Sequence, residues 1–188
     1  DDTPATVGSV GGTLSGTGGI LASYAGVLEL SRHSPGGGGR TNVGADANAV
    51  LTLSGKITGA GGSLTKVGAG TVVLANDTSD YSGPTTISAG TLQTSVDSAL
   101  PDGGAVSVGA SGTLELQGKD QSIGTLSGGG KVDLGGGRLT VDGGDFGGQF
   151  VGTTAGHLDK TSGAQLILRN SNTLGSTTIQ AGTLTAAN

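Results

Sequence analysis

Asp142 and Asp145, and separately Asp77 and Asp80, each set two carboxylates three residues apart. Paired carboxylates are what polysaccharide cleavage or calcium binding on a repetitive β scaffold would require, with help from a neighbouring turn. Each pair, however, stands in a Gly- or Ser-rich stretch, where aspartate satisfies local backbone amides. Both are therefore read as turn residues, and no catalytic residue is assigned. His33 and His157 are the only histidines, and no Gly-x-Ser-x-Gly elbow accompanies them, so a serine-hydrolase triad is unsupported. His33 has Arg32 and Arg40 nearby and is followed by no carboxylate before Asp46, so it reads as a solvated loop residue, not a metal ligand.

Other chemistries fail on spacing. Gly128-Gly129-Gly130-Lys131-Val132-Asp133 places a lysine where a calcium-binding nonapeptide repeat needs glycine. Gly59-Ala60-Gly61-Gly62 and Gly68-Ala69-Gly70 run into strands instead of a helix N-terminus, so they do not cradle phosphate. With no cysteine there is no disulfide and no thiolate ligand. No cofactor and no metal site are expected, and the chain is read as a non-enzyme.

The elements that would carry any binding function are short strands led by glycine. Gly70-Thr71-Val72, Gly90-Thr91-Leu92, Gly112-Thr113-Leu114, Gly124-Thr125-Leu126 and Gly182-Thr183-Leu184 each read as a corner entering a strand. Leu114-Glu115-Leu116 and Leu139-Thr140-Val141 alternate apolar and polar residues, so one face is buried and the other solvated. Helical periodicity is absent. The aromatics are Tyr24, Tyr81, Phe146 and Phe150, which predicts a slender aliphatic core. From Gly70 to Gly90 to Gly112 the steps are 20 and 22 residues, enough for one coil of two or three strands. This predicts an all-β fold, a right-handed parallel β-helix of roughly nine rungs, spanning about 40 Å at one rung per ~4.8 Å. A β-sandwich is the alternative, and it would call for Asn-Gly hairpins that the sequence lacks.

A long repeat runs over this pattern. Gly83-Pro84-Thr85-Thr86-Ile87-Ser88-Ala89-Gly90-Thr91-Leu92 returns 92 residues later as Gly175-Ser176-Thr177-Thr178-Ile179-Gln180-Ala181-Gly182-Thr183-Leu184, identical at eight of ten positions. Upstream, Leu64-Thr65-Lys66 returns as Leu158-Asp159-Lys160, and His157 takes the place of Ser63. The chain is therefore expected to be a single β-helical fragment, 1–188, with repeat copies at 62–92 and 156–184. Residues 31–42, with Arg32, His33, four consecutive glycines and Arg40, break the pattern and are expected to protrude as a loop. The turn-rich segment from Asn76 to Gly83 is a second protrusion, offering Asp77, Asp80 and Tyr81. These two segments are the candidate interaction loops.

Nine basic residues against fourteen acidic ones give a net charge of −5, which offers no cationic surface to a nucleic acid or an anionic membrane. No stretch approaches 18 apolar residues, and Asp1-Asp2-Thr3-Pro4 lacks the basic and apolar regions of a signal peptide. A mature or excised segment, not inserted in a membrane, is the expectation.

The ordered anchors Leu64-Thr65-Lys66, Gly68-Ala69-Gly70-Thr71, Tyr81-Ser82-Gly83 and Thr85-Thr86-Ile87 followed by Gly90-Thr91-Leu92 resemble the passenger-associated repeat of bacterial autotransporters. The segment Gly112 to Val141 resembles the stretch that joins successive copies, so the likeness covers roughly residues 50 to 188. In the second copy Ser162-Gly163-Ala164-Gln165 replaces the Gly-x-Gly-Thr step, and Leu174 stands near the place of Tyr81. The resemblance implies a cell-surface or extracellular passenger carried to the outer membrane by a translocator barrel outside this chain. It also implies adhesion or self-aggregation, with the chain itself or surface glycans or proteins as partner. A stalk that supports passenger folding without binding anything is the second expectation.

Overall fold

A computed structural model describes residues 40–152 and 156–187, and the strand backbone at 13–16, 21–24 and 28–29. Eighteen strands form, and there is no helix among the described residues. Every strand pairing is parallel, which removes the sandwich alternative.

The strands stack in three columns, each a flank of a β-solenoid. The first flank holds β1 (Thr13–Gly16), β4 (Arg40–Ala45) and β7 (Ser63–Val67), then the opening halves of β9 (Thr85–Thr94) and β10 (Val106–Glu115). It continues through the closing halves of β11 (Gln121–Gly128) and β13 (Arg138–Phe146) to β16 (Gln165–Arg169) and β18 (Thr183–Ala187). The second flank holds β2 (Leu21–Tyr24), β5 (Val50–Leu53), β8 (Thr71–Leu74), the closing halves of β9 and β10, β12 (Lys131–Asp133) and β14 (Gln149–Val151). The third carries β3 (Leu28–Glu29), β6 (Ile57–Thr58), the opening halves of β11 and β13, β15 (His157–Lys160) and β17 (Ser176–Ile179). The solenoid makes about seven turns, fewer than the roughly nine rungs expected.

Register explains the period. Leu64, Thr85, Val106 and Leu126 lie above one another, at steps of 21, 21 and 20 residues. The inward positions alternate with outward ones: β5, β7 and β8 each bury every second residue. Leu51, Val72, Leu92, Leu114, Val132 and Phe150 form one continuous buried column. Each such side chain contributes roughly 1.5–3 kcal/mol by leaving water, and the thin interior admits few aromatics. Tyr81, Phe146 and Phe150 are buried in it, and the two phenylalanines meet edge to face with ring centroids 5.4 Å apart.

Glycine is required where the corners stack. A Cβ on Gly70 would lie 2.1 Å from the carbonyl oxygen of Asp46, and one on Gly90 2.5 Å from the carbonyl oxygen of Gly70. The Gly-Thr-Leu signature thus records close approach of one turn to the next.

The two repeat copies do not sit on the same flanks. In the first, β7 lies on flank one and β8 on flank two; in the second, the equivalent β15 lies on flank three and β16 on flank one. The turns between the copies are short, with a step of only 18 residues from Leu126 to Gly144. The second copy is therefore rotated by one flank about the solenoid axis.

Candidate functional site

The third flank is interrupted between two turns. Residues 76–82 and 96–104 both run along it without forming a strand. The lower segment is bonded downward: the Asp80 amide donates to the Ile57 carbonyl at 2.9 Å, the Ile57 amide to Ser79 Oγ at 3.2 Å, and the Gly61 amide to Ser82 Oγ at 2.7 Å. Asn76 Oδ1 closes the turn by accepting from the Thr78 amide and hydroxyl, at 3.0 and 2.8 Å. Lys56 Nζ pairs with Asp80 at 2.7 Å.

The upper segment is bonded upward. The Ser98 amide donates to the Asp120 carbonyl at 2.9 Å, and the Leu100 amide to Gln121 Oε1 at 3.0 Å. Gln121 Nε2 donates to the Val96 carbonyl at 2.9 Å, and the Asp120 amide to Asp97 Oδ1 at 2.9 Å. The two segments thus belong to different sheets of contacts and leave a cleft of about 510 Å³ between them. Asp77, Ser79, Asp80 and Ser82 wall it from below, and Ser98, Leu100, Pro101 and Asp102 from above.

This lining is rich in hydrogen-bond acceptors and hydroxyls and has no cation pointing inward from its own walls. Carboxylates accept hydrogen bonds from hydroxyl, ammonium or guanidinium groups and repel anions. The Lys56 ammonium, which donates to the Asp80 carboxylate, holds it below the usual carboxylate range. A neutral sugar or a basic side chain suits the cleft; a phosphate does not. Among the described residues no group of three or more His, Asp or Glu side chains could hold a metal.

The candidates from the sequence distribute unevenly. Asp77 and Asp80 line the cleft. Tyr81 borders the cleft as well, but from within its wall: it is 1% exposed, and its hydroxyl lies 2.6 Å from Thr85 Oγ1. Burial pushes its phenol far above the ordinary tyrosine range. Arg32 and His33 lie outside the described residues. The expected loop 31–42 ends early, since Arg40, Thr41 and Asn42 already form β4, paired with Ser63, Leu64 and Thr65. Asp142 and Asp145 are held apart as structural groups. Asp142 accepts from Thr161 Oγ1 at 3.1 Å, while Arg169 grips both Asp145 oxygens at 2.7 and 2.6 Å, and that guanidinium keeps the Asp145 carboxyl low. His157, at a strand entry, hydrogen-bonds through Nδ1 to Ser176.

Sequence reasoning missed the upper wall. Its signal was Leu100-Pro101-Asp102-Gly103-Gly104, a turn sequence at the place where flank three would need a strand.

The family model described as the passenger-associated-transport-repeat matches residues 64–94 and 158–186. The "Adhesin BmaC autotransporter" of Brucella suis biovar 1 (strain 1330) is 37% identical over 183 residues, covering 92% of this chain and 5% of its own length. No solved structure matches the chain.

Proposed function

Because the chain carries two passenger-associated-transport repeats and so belongs with the autotransporter passengers, we propose that it is an adhesin segment whose split third flank takes the ligand. The chain spans 5% of the length of its adhesin relative, and its role is that of one part of a long surface rod. The passenger is displayed at the cell surface, held by an outer-membrane translocator.

The observation that carries this reading is the cleft between residues 76–82 and 96–104, where polar side chains face a gap in an otherwise continuous stack. A lining of Asp77, Ser79, Ser82, Ser98 and Asp102 favours hydroxyl-rich surface glycans, or basic side chains of a surface protein or of another copy. One such cleft gives weak affinity; display of many copies on one cell multiplies it. The arrangement holds no catalytic constellation, and we infer a non-enzymatic role.

A passive stalk is the second reading. It is supported by the absence of any unsatisfied buried side-chain polar atom among the described residues and by the pairing of Asp80 with Lys56. Cells displaying the chain distinguish the two. Attachment to host-cell monolayers and clumping would be counted for the unaltered chain and for Asp77→Asn/Asp102→Asn. Attachment that falls with the substitutions while display is unchanged supports the cleft. Attachment no greater than that of cells lacking the chain supports the stalk.

A further inference from the structure

Lys66 and Lys160 are 0% exposed, although each is a primary amine in a chain with an aliphatic interior. Both point inward. Lys66 stands in register between Val43 below and Ile87 above, and Lys160 between Val141 and Ile179. Neither makes an ion pair with a carboxylate among the described residues.

Their ammonium groups go instead to main-chain carbonyls at a corner. Lys66 Nζ donates to Val67 and Gly68 of its own turn, both at 2.8 Å, and to Ala89 of the next turn at 3.0 Å. Lys160 Nζ donates to Ser162 of its own turn and to Ala181 of the next at 3.2 Å. The acceptors are equivalent: Gly68 and Ser162 each lie two residues past the lysine, and Ala89 and Ala181 each precede a left-handed glycine, Gly90 and Gly182, with φ of 66° and 76°. The first set sits where flank one meets flank two, the second where flank three meets flank one. The same contact is thus built at two different corners, so it travels with the repeat and is independent of position on the solenoid. At the neighbouring turns of the Lys66 column the inward residues are Val43, Ile87 and Val108, which have no side-chain donor.

We propose that each repeat contains an internal cation site filled by its own lysine, which ties the corner of one turn to the corner of the next and makes those two turns open and close as one unit. The proposal accounts for the extent of the repeat: a match from 64 to 94 or from 158 to 186 covers one turn with the lysine and the next turn with the alanine carbonyl that receives it. An ammonium sharing carbonyls from both turns couples their opening, because neither corner can leave without stranding a buried charge.

Global stability is a poor readout, since an apolar replacement for a buried cation can leave it unchanged. Hydrogen exchange resolved along the intact chain is the test. Lys66→Met should speed exchange across 89–94 by at least about tenfold while 181–187 keeps its unaltered rate, and Lys160→Met should do the reverse. Equal acceleration throughout the chain, or none at either corner, would overturn the tie. Should either variant fail to fold, acylation of the unaltered protein with an amine-reactive ester decides. Lys56, Lys119 and Lys131 should react at least about tenfold faster than Lys66 and Lys160, and equal rates would sink the proposal.

Discussion

Gly90 rests directly on Gly70 of the turn beneath, so close that a Cβ at Gly90 would meet the Gly70 carbonyl oxygen at 2.5 Å. Gly90 also holds a φ of 66°, a region that favours glycine. Gly90→Ala should therefore cost about 2–4 kcal/mol, combining left-handed strain with a clash against backbone that cannot swing aside. Two controls separate the causes. Gly103 has a φ of 71° with nothing within 4 Å of a built Cβ, so Gly103→Ala should cost only about 1 kcal/mol. Gly129 has open space and no positive φ, so Gly129→Ala should be neutral or slightly stabilising. Urea denaturation of the three variants orders them.

Tyr81 and Thr85 share one buried hydrogen bond, with Thr85 2% exposed. Tyr81→Phe should lower stability by about 1–2 kcal/mol by leaving the Thr85 hydroxyl unpaired, and it should leave cell attachment unchanged. A loss of attachment with full stability would return Tyr81 to the binding surface.

Stability should rise with pH just above neutrality. Burial pushes the Lys66 ammonium from 10.5 down to about 8. Below about pH 8 the folded and unfolded chains both hold the proton, and the penalty for burying the charge is constant. As pH climbs from 8 toward 10.5 the folded chain releases the proton while the unfolded chain keeps it, so the folded state gains. Tyr81 acts in the opposite sense only above pH 10, where the unfolded phenol ionises and the buried one does not. Urea midpoints should therefore increase from pH 7.5 to 9.5, and Lys66→Met should flatten that rise.

Phe146 and Phe150 fill the interior where β13 and β14 meet. Phe150→Ala should cost about 3–5 kcal/mol. In a stacked architecture the damage stays near its own turn. Limited proteolysis should accordingly cut residues 138–187 before 63–94, whereas simultaneous cleavage throughout would argue for a single cooperative unit.

Much of the fold was legible because its determinants are local and recurrent. The alternation in Leu64-Thr65-Lys66 and Val72-Val73-Leu74 fixes which residues face inward, and the glycine before Thr71, Thr91 and Thr113 marks each corner. The same alternation also sends Lys66 inward, two residues after Leu64, a signal present in the sequence and easily passed over in a basic residue. The cleft was half legible. Asn76 to Gly83 reads as a turn, but the gap above it depends on 96–104 bonding to Asp120 and Gln121 rather than to the segment below, and no local pattern specifies that choice. Tyr81 was half legible too: its turn-forming neighbours place it beside the cleft, but no local pattern tells that its ring is buried and its hydroxyl bonded to Thr85 four residues on.

The rotation of the second copy changes what the rod shows to its surroundings. In the first copy the link after β8 forms the lower lip of the cleft on flank three; in the second the link after β16 lies over β14, with the Thr173 amide bonded to the Phe150 carbonyl and Asn172 Oδ1 accepting from the Phe150 amide. Equivalent segments of the two copies consequently look out along different bearings, like steps on a spiral stair. A target lying flat against one side would meet one copy's link and miss the other's, whereas targets crowding around the shaft could be engaged from several directions at once.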